Sequence, residues 1–324
     1  MPISPAASPA DDRFAAFRHT AYARYFFARF LSYFALQIVI VSVGWQIYDL
    51  TRNPFDLGLV GLIQFAPALV LILVTGSVAD RFSRRGIILG CDIVEAGCVL
   101  GLALMTWHGL FSPLPIFAVL LVMGIARAFL GPAAQALAPN LVPAKDLPNA
   151  VAWNSSAWQT AGVVGPVVGG LLYGLGPLVP YVTGVALLLM AATAIFLVPA
   201  QPHRISREKQ NWDSLMAGFR YIRRERVVFG AISLDMFAVL LGGAIALMPV
   251  YARDILDLGP IGLGLLRASP GVGAVLMALY LASRPIRTGA GIKMFIGVGL
   301  FGLTTIVFGL STNLPLSLLA LACL

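Results

Sequence analysis

Charged side chains inside long apolar runs are the residues of this 324-residue chain whose types and spacing could do chemistry. Arg127 stands in the run 114–137, Glu95 in 87–107, Asp235 in 227–250 and Arg267 in 261–282. An ionised group in hydrocarbon is costly, so each must pair, face a water-filled cavity or reach the surface. A carboxylate half-buried near an arginine can take up and release a proton as its surroundings alternate. At ~1.5 Å of rise per residue, Arg127, Glu95 and Asp235 all lie roughly 12–15 Å in from the same end of their runs. Arg127 is therefore expected to be balanced by Asp235 across a cavity or by Glu95 on the neighbouring span. Arg267 has two readings, contact with an anionic group of a substrate and snorkelling outward.

A second group is the knot between Gly76 and Gly86. Asp80, Arg81, Arg84 and Arg85 place four charges in six positions between two apolar runs. Such a knot cannot lie in hydrocarbon and predicts a tight turn between two spans on the wet side. A third is the polar flank Asn154, Ser155, Ser156, Trp158 and Gln159 at the start of another apolar run. It reads as substrate lining, with Gln64 and Arg267, or as interhelical hydrogen bonding.

These groups need apolar elements to hold them. The chain is 59% hydrophobic and 11% charged, with mean hydropathy +0.89, whereas a soluble chain carries about a quarter charged residues. Runs near the ~20 residues that cross ~30 Å of hydrocarbon make it an all-α polytopic membrane protein. The spans expected are 25–48, 57–79, 87–107, 114–137, 150–173, 178–198, 227–250, 261–282 and 290–311, with a further start at 315. The net charge of +8 falls in short clusters between spans, not on one soluble face, and so does not indicate nucleic acid. With the N-terminus cytoplasmic, nearly all Lys and Arg lie inside, and the outer loops hold only Arg52 and Arg253. Cys91, Cys98 and Cys323 lie in or beside apolar runs and form no disulfide framework.

Residues 1–20 read as a flexible cytosolic tail, 21–198 as a first six-helix half, 199–226 as a basic linker and 227–324 as an incomplete second half. The linker carries seven Lys and Arg. Trp212, Leu215, Met216, Phe219 and Ile222 recur there at helical spacing, which fits an amphipathic helix on an anionic leaflet or a solvated connector. A shift of 203 residues aligns Gly61 with Gly264, Pro67 with Pro270, Arg81 with Arg284, Arg84 with Arg287 and Gly86 with Gly289. The same shift puts Ser32 opposite Asp235, Gln64 opposite Arg267 and Ser283 opposite Asp80. An acidic gate is thus expected on the first half only. On this repeat the second half is truncated, leaving about nine spans and part of a tenth.

Three stretches resemble signatures of the major facilitator superfamily (MFS) of secondary transporters. The turn Gly76–Gly86 is similar to its loop between spans two and three, with Val78 for the usual Leu and Ser83 for an inner Gly at a position that can require positive φ. Gly165-Pro166-Val167-Val168-Gly169-Gly170 resembles the motif of its proton-coupled antiporters, with Ala161 at the leading Gly. Generic small-residue packing would read the same way. Arg127 to Ala134 resembles its span-four signature, whose arginine is associated with proton coupling, although Leu130 stands where Gln is common. The segments 141–150 and 235–251 look like the enterobactin-exporter and drug:proton antiporter branch.

The resemblance implies the MFS fold of two pseudo-repeated six-helix halves in a bacterial inner membrane. It also implies a monomer exporting a siderophore-like or drug-like small molecule by alternating access, with protons as counter-ion and no cofactor beyond the proton gradient. Uptake, uniport and an inactive truncated membrane protein are the alternatives. Enzyme motifs fail. Gly297 to Gly302 matches a dinucleotide-loop pattern only inside an apolar span, and His19, His108 and His203 are too dispersed for a metal or catalytic site.

Overall fold

The computed structural model describes residues 13–110, 112–200, 220, 222–241, 245–283 and 289–324. The helices are α1 (Thr20–Thr51), α2 (Pro54–Val70), α3 (Ile72–Arg81), α4 (Arg84–Trp107), α5 (Pro113–Leu137), α6 (Leu147–Leu175) and α7 (Val179–Phe196). After them come α8 (Arg226–Leu241), α9 (Pro260–Ser283), α10 (Ala290–Leu310) and α11 (Leu314–Ala322). A short helical segment, Met248–Val250, runs into a wide π turn, Tyr251–Ile255, ahead of α9.

Local chemistry sets the boundaries. Proline, which has no N–H to lose in a first turn, stands in the opening turn of α2, α5, α6, α7 and α11. Asn53 caps α2 by accepting from Phe55 N at 3.1 Å, and Asp56 adds a negative charge near that N-terminus. The run 57–79, expected as one span, divides at Leu71 into α2 and α3; Pro67 lies one turn before the break.

Six described helices are long and apolar enough to cross a bilayer. They are Thr20–Thr51, Arg84–Trp107, Pro113–Asn140, Val179–Phe196, Pro260–Leu281 and Gly291–Leu310. At 29 residues, about 44 Å long, α6 has the reach as well, but its first half carries the polar flank. One buried cluster, with Tyr22, Ile88, Leu137 and Ile195, fills the end of the first bundle where α1 begins. A second, with Val39, Val99, Leu120 and Tyr181, fills its opposite end. A third joins Val41 and Trp45 of α1 to Met248, Leu263 and Leu266, tying the first bundle to the later helices.

Two expectations are corrected. Residues 13–19 are not a free tail: Ala16 is fully buried, its N–H donates to Asn149 Oδ1 at 3.1 Å, and Phe14 and Phe17 pack on Trp153. Ser83 does not sit at positive φ. Its φ is −58°, and its hydroxyl caps α4 by accepting from Gly86 N at 3.3 Å, a bond that a glycine there would lose. Residues 1–12 and most of the basic linker, including Trp212, Leu215, Met216 and Phe219, lie outside the described residues, as do Arg284 and Arg287.

Candidate functional site

The charged centre of the first bundle joins three helices. Arg127 of α5 donates through Nε to Glu95 Oε1 of α4 at 3.2 Å and through Nη1 to Gln64 Oε1 of α2 at 3.1 Å. The Glu95 side chain is 3% exposed and that of Arg127 20%. Gly124, one turn before Arg127, is what lets α2 come close. A β-carbon there would meet Gln64 O at 2.9 Å and Ile63 O at 3.1 Å. The pairing is partly buried, so the Coulomb attraction is weakly screened, while Arg127 Nη2 keeps no hydrogen-bond partner.

A cavity of about 1010 Å³ opens in the half of the molecule where α1 and α6 begin. Its walls include Tyr25, Arg29 and Tyr33 of α1, Gln135 of α5, Asn154, Trp158 and Gln159 of α6, and Leu279 of α9. Polar and aromatic α6 residues therefore face the space between the first bundle and α9. Tyr33 meets Trp158 edge-on at 4.6 Å, and the Arg29 guanidinium lies 4.4 Å from the Tyr33 ring centre. Behind Arg29, Asp92 of α4 is fully buried and accepts from Ser32 Oγ at 2.9 Å.

The glycine stretch of α6 is a seam between α1 and α9. A β-carbon on Gly165 would fall 2.5 Å from Gln37 Cβ, and one on Gly169 3.0 Å from Ile38 Cα, both of α1. On the other side a β-carbon on Gly170 would fall 2.5 Å from Pro260 O of α9, and one on Gly264 2.5 Å from Pro166 O. Backbone meets backbone at Gly169, Gly170 and Gly264, which only glycine permits, while Gly165 makes room for the Gln37 side chain. Beyond the seam, the end opposite the cavity carries charges from both sides. Arg253 pairs with Asp49, Tyr48 donates to Asp254, and Arg52 lies 3.7 Å from Asp49 and 3.9 Å from Asp254.

At the cavity end, the charge-rich turn braces the first bundle. Arg84 donates to Ala136 O of α5 at 2.8 Å, and Arg85 donates to Phe196 O of α7 while lying over the Phe196 ring. Cations thus meet the electronegative C-terminal ends of two helices. Arg81 is exposed, Gly76 lies inside α3, Gly86 lies in the first turn of α4, and Asp80 is the next-to-last residue of α3.

The predicted residues thus fall into separate places. Glu95, Arg127 and Gln64 come together; Gln64 was expected as substrate lining and is instead a ligand of Arg127. Asn154 and Gln159 line the cavity. Asp235 is exposed on α8, so the partner on Arg127 is Glu95. Arg267 does not snorkel outward. It points into the seam, where a side chain on Gly44 would meet its Nη2 at 3.7 Å, and its Nε is buried without a partner. Arg29, Asp92 and the Asp49–Arg253 group were missed. The signal was available: Tyr25, Arg29 and Tyr33 recur every four residues, and Asp92 stands three residues before Glu95. Among the described residues no group of His, Cys, Asp or Glu could hold a metal.

The comparisons agree with this architecture. The family model described as a transmembrane secretion effector matches residues 11–324. The chain is 26% identical over 318 residues to the enterobactin exporter EntS of Shigella boydii serotype 18, covering 94% of this chain and 73% of that protein. The same figures hold for EntS of Escherichia coli O139:H28. Among solved structures, a bacterial homologue of the human lysosomal transporter Spinster, captured inward-facing and unoccupied, superposes with a TM-score of 0.70 at 17% identity, covering 95% of this chain and 72% of that one. The nucleoside transporter NupG superposes with a TM-score of 0.65 at 16% identity, covering 94% and 78%. Gly165-Pro166 with Gly169-Gly170, the Arg127 centre and this match over nearly the full length agree: the chain is a multi-pass membrane transporter of the transmembrane secretion effector family, within the MFS.

Proposed function

We propose that this protein exports a small molecule across a bacterial inner membrane by alternating access, with inward proton flow as the driving force. The observation that carries the reading is the asymmetry of the two ends. A cavity of about 1010 Å³ occupies the end with Arg24, Arg84 and Arg85, while the seam at Gly170 and Gly264 and the Asp49–Arg253 group occlude the other. The basic end is cytosolic on the positive-inside rule, with the N-terminus cytoplasmic. The conformation is then inward-facing. Similarity to EntS supports export, and rocking of the first bundle against the later helices about the α6–α9 seam is the proposed alternation.

Arg127 and Glu95 are the proposed proton-coupling pair. Protonation of Glu95 removes the charge that holds Arg127, and the freed guanidinium can turn toward other partners as the cavity changes face. Asp235, exposed on α8 and not a wall of this cavity, is proposed as a cavity charge at another stage of the cycle, and Asp80 as an acidic gate on the first half alone. Asn154 and Gln159 are proposed to contact substrate.

Thiol labelling tests the orientation and the state together. In a chain with Cys91→Ala, Cys98→Ala and Cys323→Ala, Ser155→Cys faces the cavity and Leu110→Cys lies at the other end. A membrane-impermeant maleimide is expected to label Ser155→Cys at least about tenfold faster in inside-out than in right-side-out vesicles, with Leu110→Cys showing the reverse. Equal labelling of Ser155→Cys from both sides would contradict the inward-facing reading.

A further inference from the structure

We infer that the cavity takes a small organic anion with a flat ring, and that Arg29 is the group that recognises its charge. The inference rests on the transport reading above and names the substrate class of that cavity.

The wall chemistry is one-sided. Among the described lining residues Arg29 is the only charged side chain, and no carboxylate accompanies it. A cationic solute would find no counter-charge there. An anion finds a guanidinium, whose planar fork suits a carboxylate or sulfonate. Tyr25, Tyr33 and Trp158 give the same wall an aromatic surface, and Asn154 and Gln159 supply neutral hydrogen-bonding groups. The Tyr33–Trp158 edge-on contact leaves ring faces on which a planar solute can stack.

Arg29 touches Tyr33 but keeps two donors open. It is 4% exposed, yet its Nε and Nη1 have no hydrogen-bond partner. Buried donors are almost always satisfied, and two open guanidinium nitrogens at a cavity wall call for a partner that the described residues do not supply. Other arginines of the first bundle are more fully engaged: Arg127 donates to Glu95 and Gln64 and leaves Nη2 open, Arg84 donates to a backbone carbonyl and leaves Nε open, and Arg85 donates to another carbonyl. Asp92 lies behind Arg29 and acts on it electrostatically, which offsets part of the cost of burying the cation. Asp92 is itself fully buried, with Oδ1 taken by Ser32, so it does not reach the cavity to oppose an anion. An anion leaving a cell with a negative interior also moves down the electrical gradient.

Three probes on one ring separate charge from shape: 2-naphthoate, 2-naphthamide and 2-naphthylmethylammonium, titrated calorimetrically into the purified full chain. Naphthoate is expected to bind at least about tenfold tighter than either of the others. Arg29→Gln is expected to bring naphthoate to the level of the amide without changing the amide. Arg29→Lys, which keeps the charge but not the fork, is expected to weaken naphthoate severalfold and keep the order of the probes. This variant carries the test should Arg29→Gln not fold. The inference is overturned if the ammonium binds as tightly as naphthoate, if none of the three binds up to millimolar concentration, if the preference survives Arg29→Gln, or if Arg29→Lys leaves naphthoate affinity unchanged. The export reading fails separately. Anion preference without protein-dependent movement of naphthoate into inside-out vesicles would leave the site and remove the export function. Movement of another solute without anion preference would do the reverse.

Discussion

Glu95→Gln is expected to cut pH-gradient-driven transport to below about a tenth of the wild-type rate while leaving the protein folded. Glutamine keeps an oxygen that can accept from Arg127 Nε, as Glu95 Oε1 does at 3.2 Å, but it cannot gain or lose a proton. If Glu95 carries the coupling proton, the variant should still exchange substrate down its own gradient and lose its response to pH. Glu95→Ala is the harsher change, because it leaves the Arg127 cation with Gln64 alone. Removing one partner of a buried pair costs about 3–5 kcal/mol, and the 20% exposure of the Arg127 side chain puts the expected loss toward the low end. Transport by Glu95→Gln that follows the pH gradient as the wild type does would remove Glu95 from the coupling role. Thermal melts of both variants separate a coupling defect from a folding defect.

Gly170→Leu and Gly264→Leu are each expected to reduce transport at least tenfold. A β-carbon at either position falls 2.5 Å from a backbone carbonyl on the facing helix, Pro260 O or Pro166 O. Backbone cannot swing aside as a long side chain can, so α6 and α9 must separate. Overpacking of this kind typically costs about 1–3 kcal/mol, and here it falls on the contact that closes one end of the transporter. Gly174→Ala is the matched control one turn on. Its β-carbon would lie 3.5 Å from Ile261 Cγ1, an ordinary contact, and near wild-type activity is expected. Full activity in Gly170→Leu would show that close approach of α6 and α9 is not needed for the cycle.

Much of this architecture is legible in the order of residues. The helices and their prolines follow from apolar runs and first-turn chemistry, and the family from Gly165-Pro166-Gly169-Gly170 and the Gly76–Gly86 turn. What a linear reading loses is azimuth. Depth along a helix placed Glu95 and Asp235 level with Arg127, but only the packing of α4 on α5 distinguishes the buried partner from the exposed one. Arg267 went astray for the same reason, since distance from a helix end does not reveal that it faces Gly44. Position near the start of α1 likewise does not reveal that Arg29 is buried against Tyr33. Ser83 was read against a glycine pattern, whereas its hydroxyl gives the backbone a cap and makes left-handed geometry unnecessary.

The central claim is that the protein moves small molecules out of the cell at the expense of a proton gradient, and inside-out membrane vesicles test it most directly. With respiration acidifying the vesicle lumen, membranes carrying the protein are expected to take up one or more members of a panel of siderophore-like and drug-like compounds faster than membranes lacking it. Collapsing the pH gradient with nigericin is expected to abolish the difference. Equal uptake by both membranes across the whole panel would contradict export, and protein-dependent uptake indifferent to nigericin would contradict proton coupling.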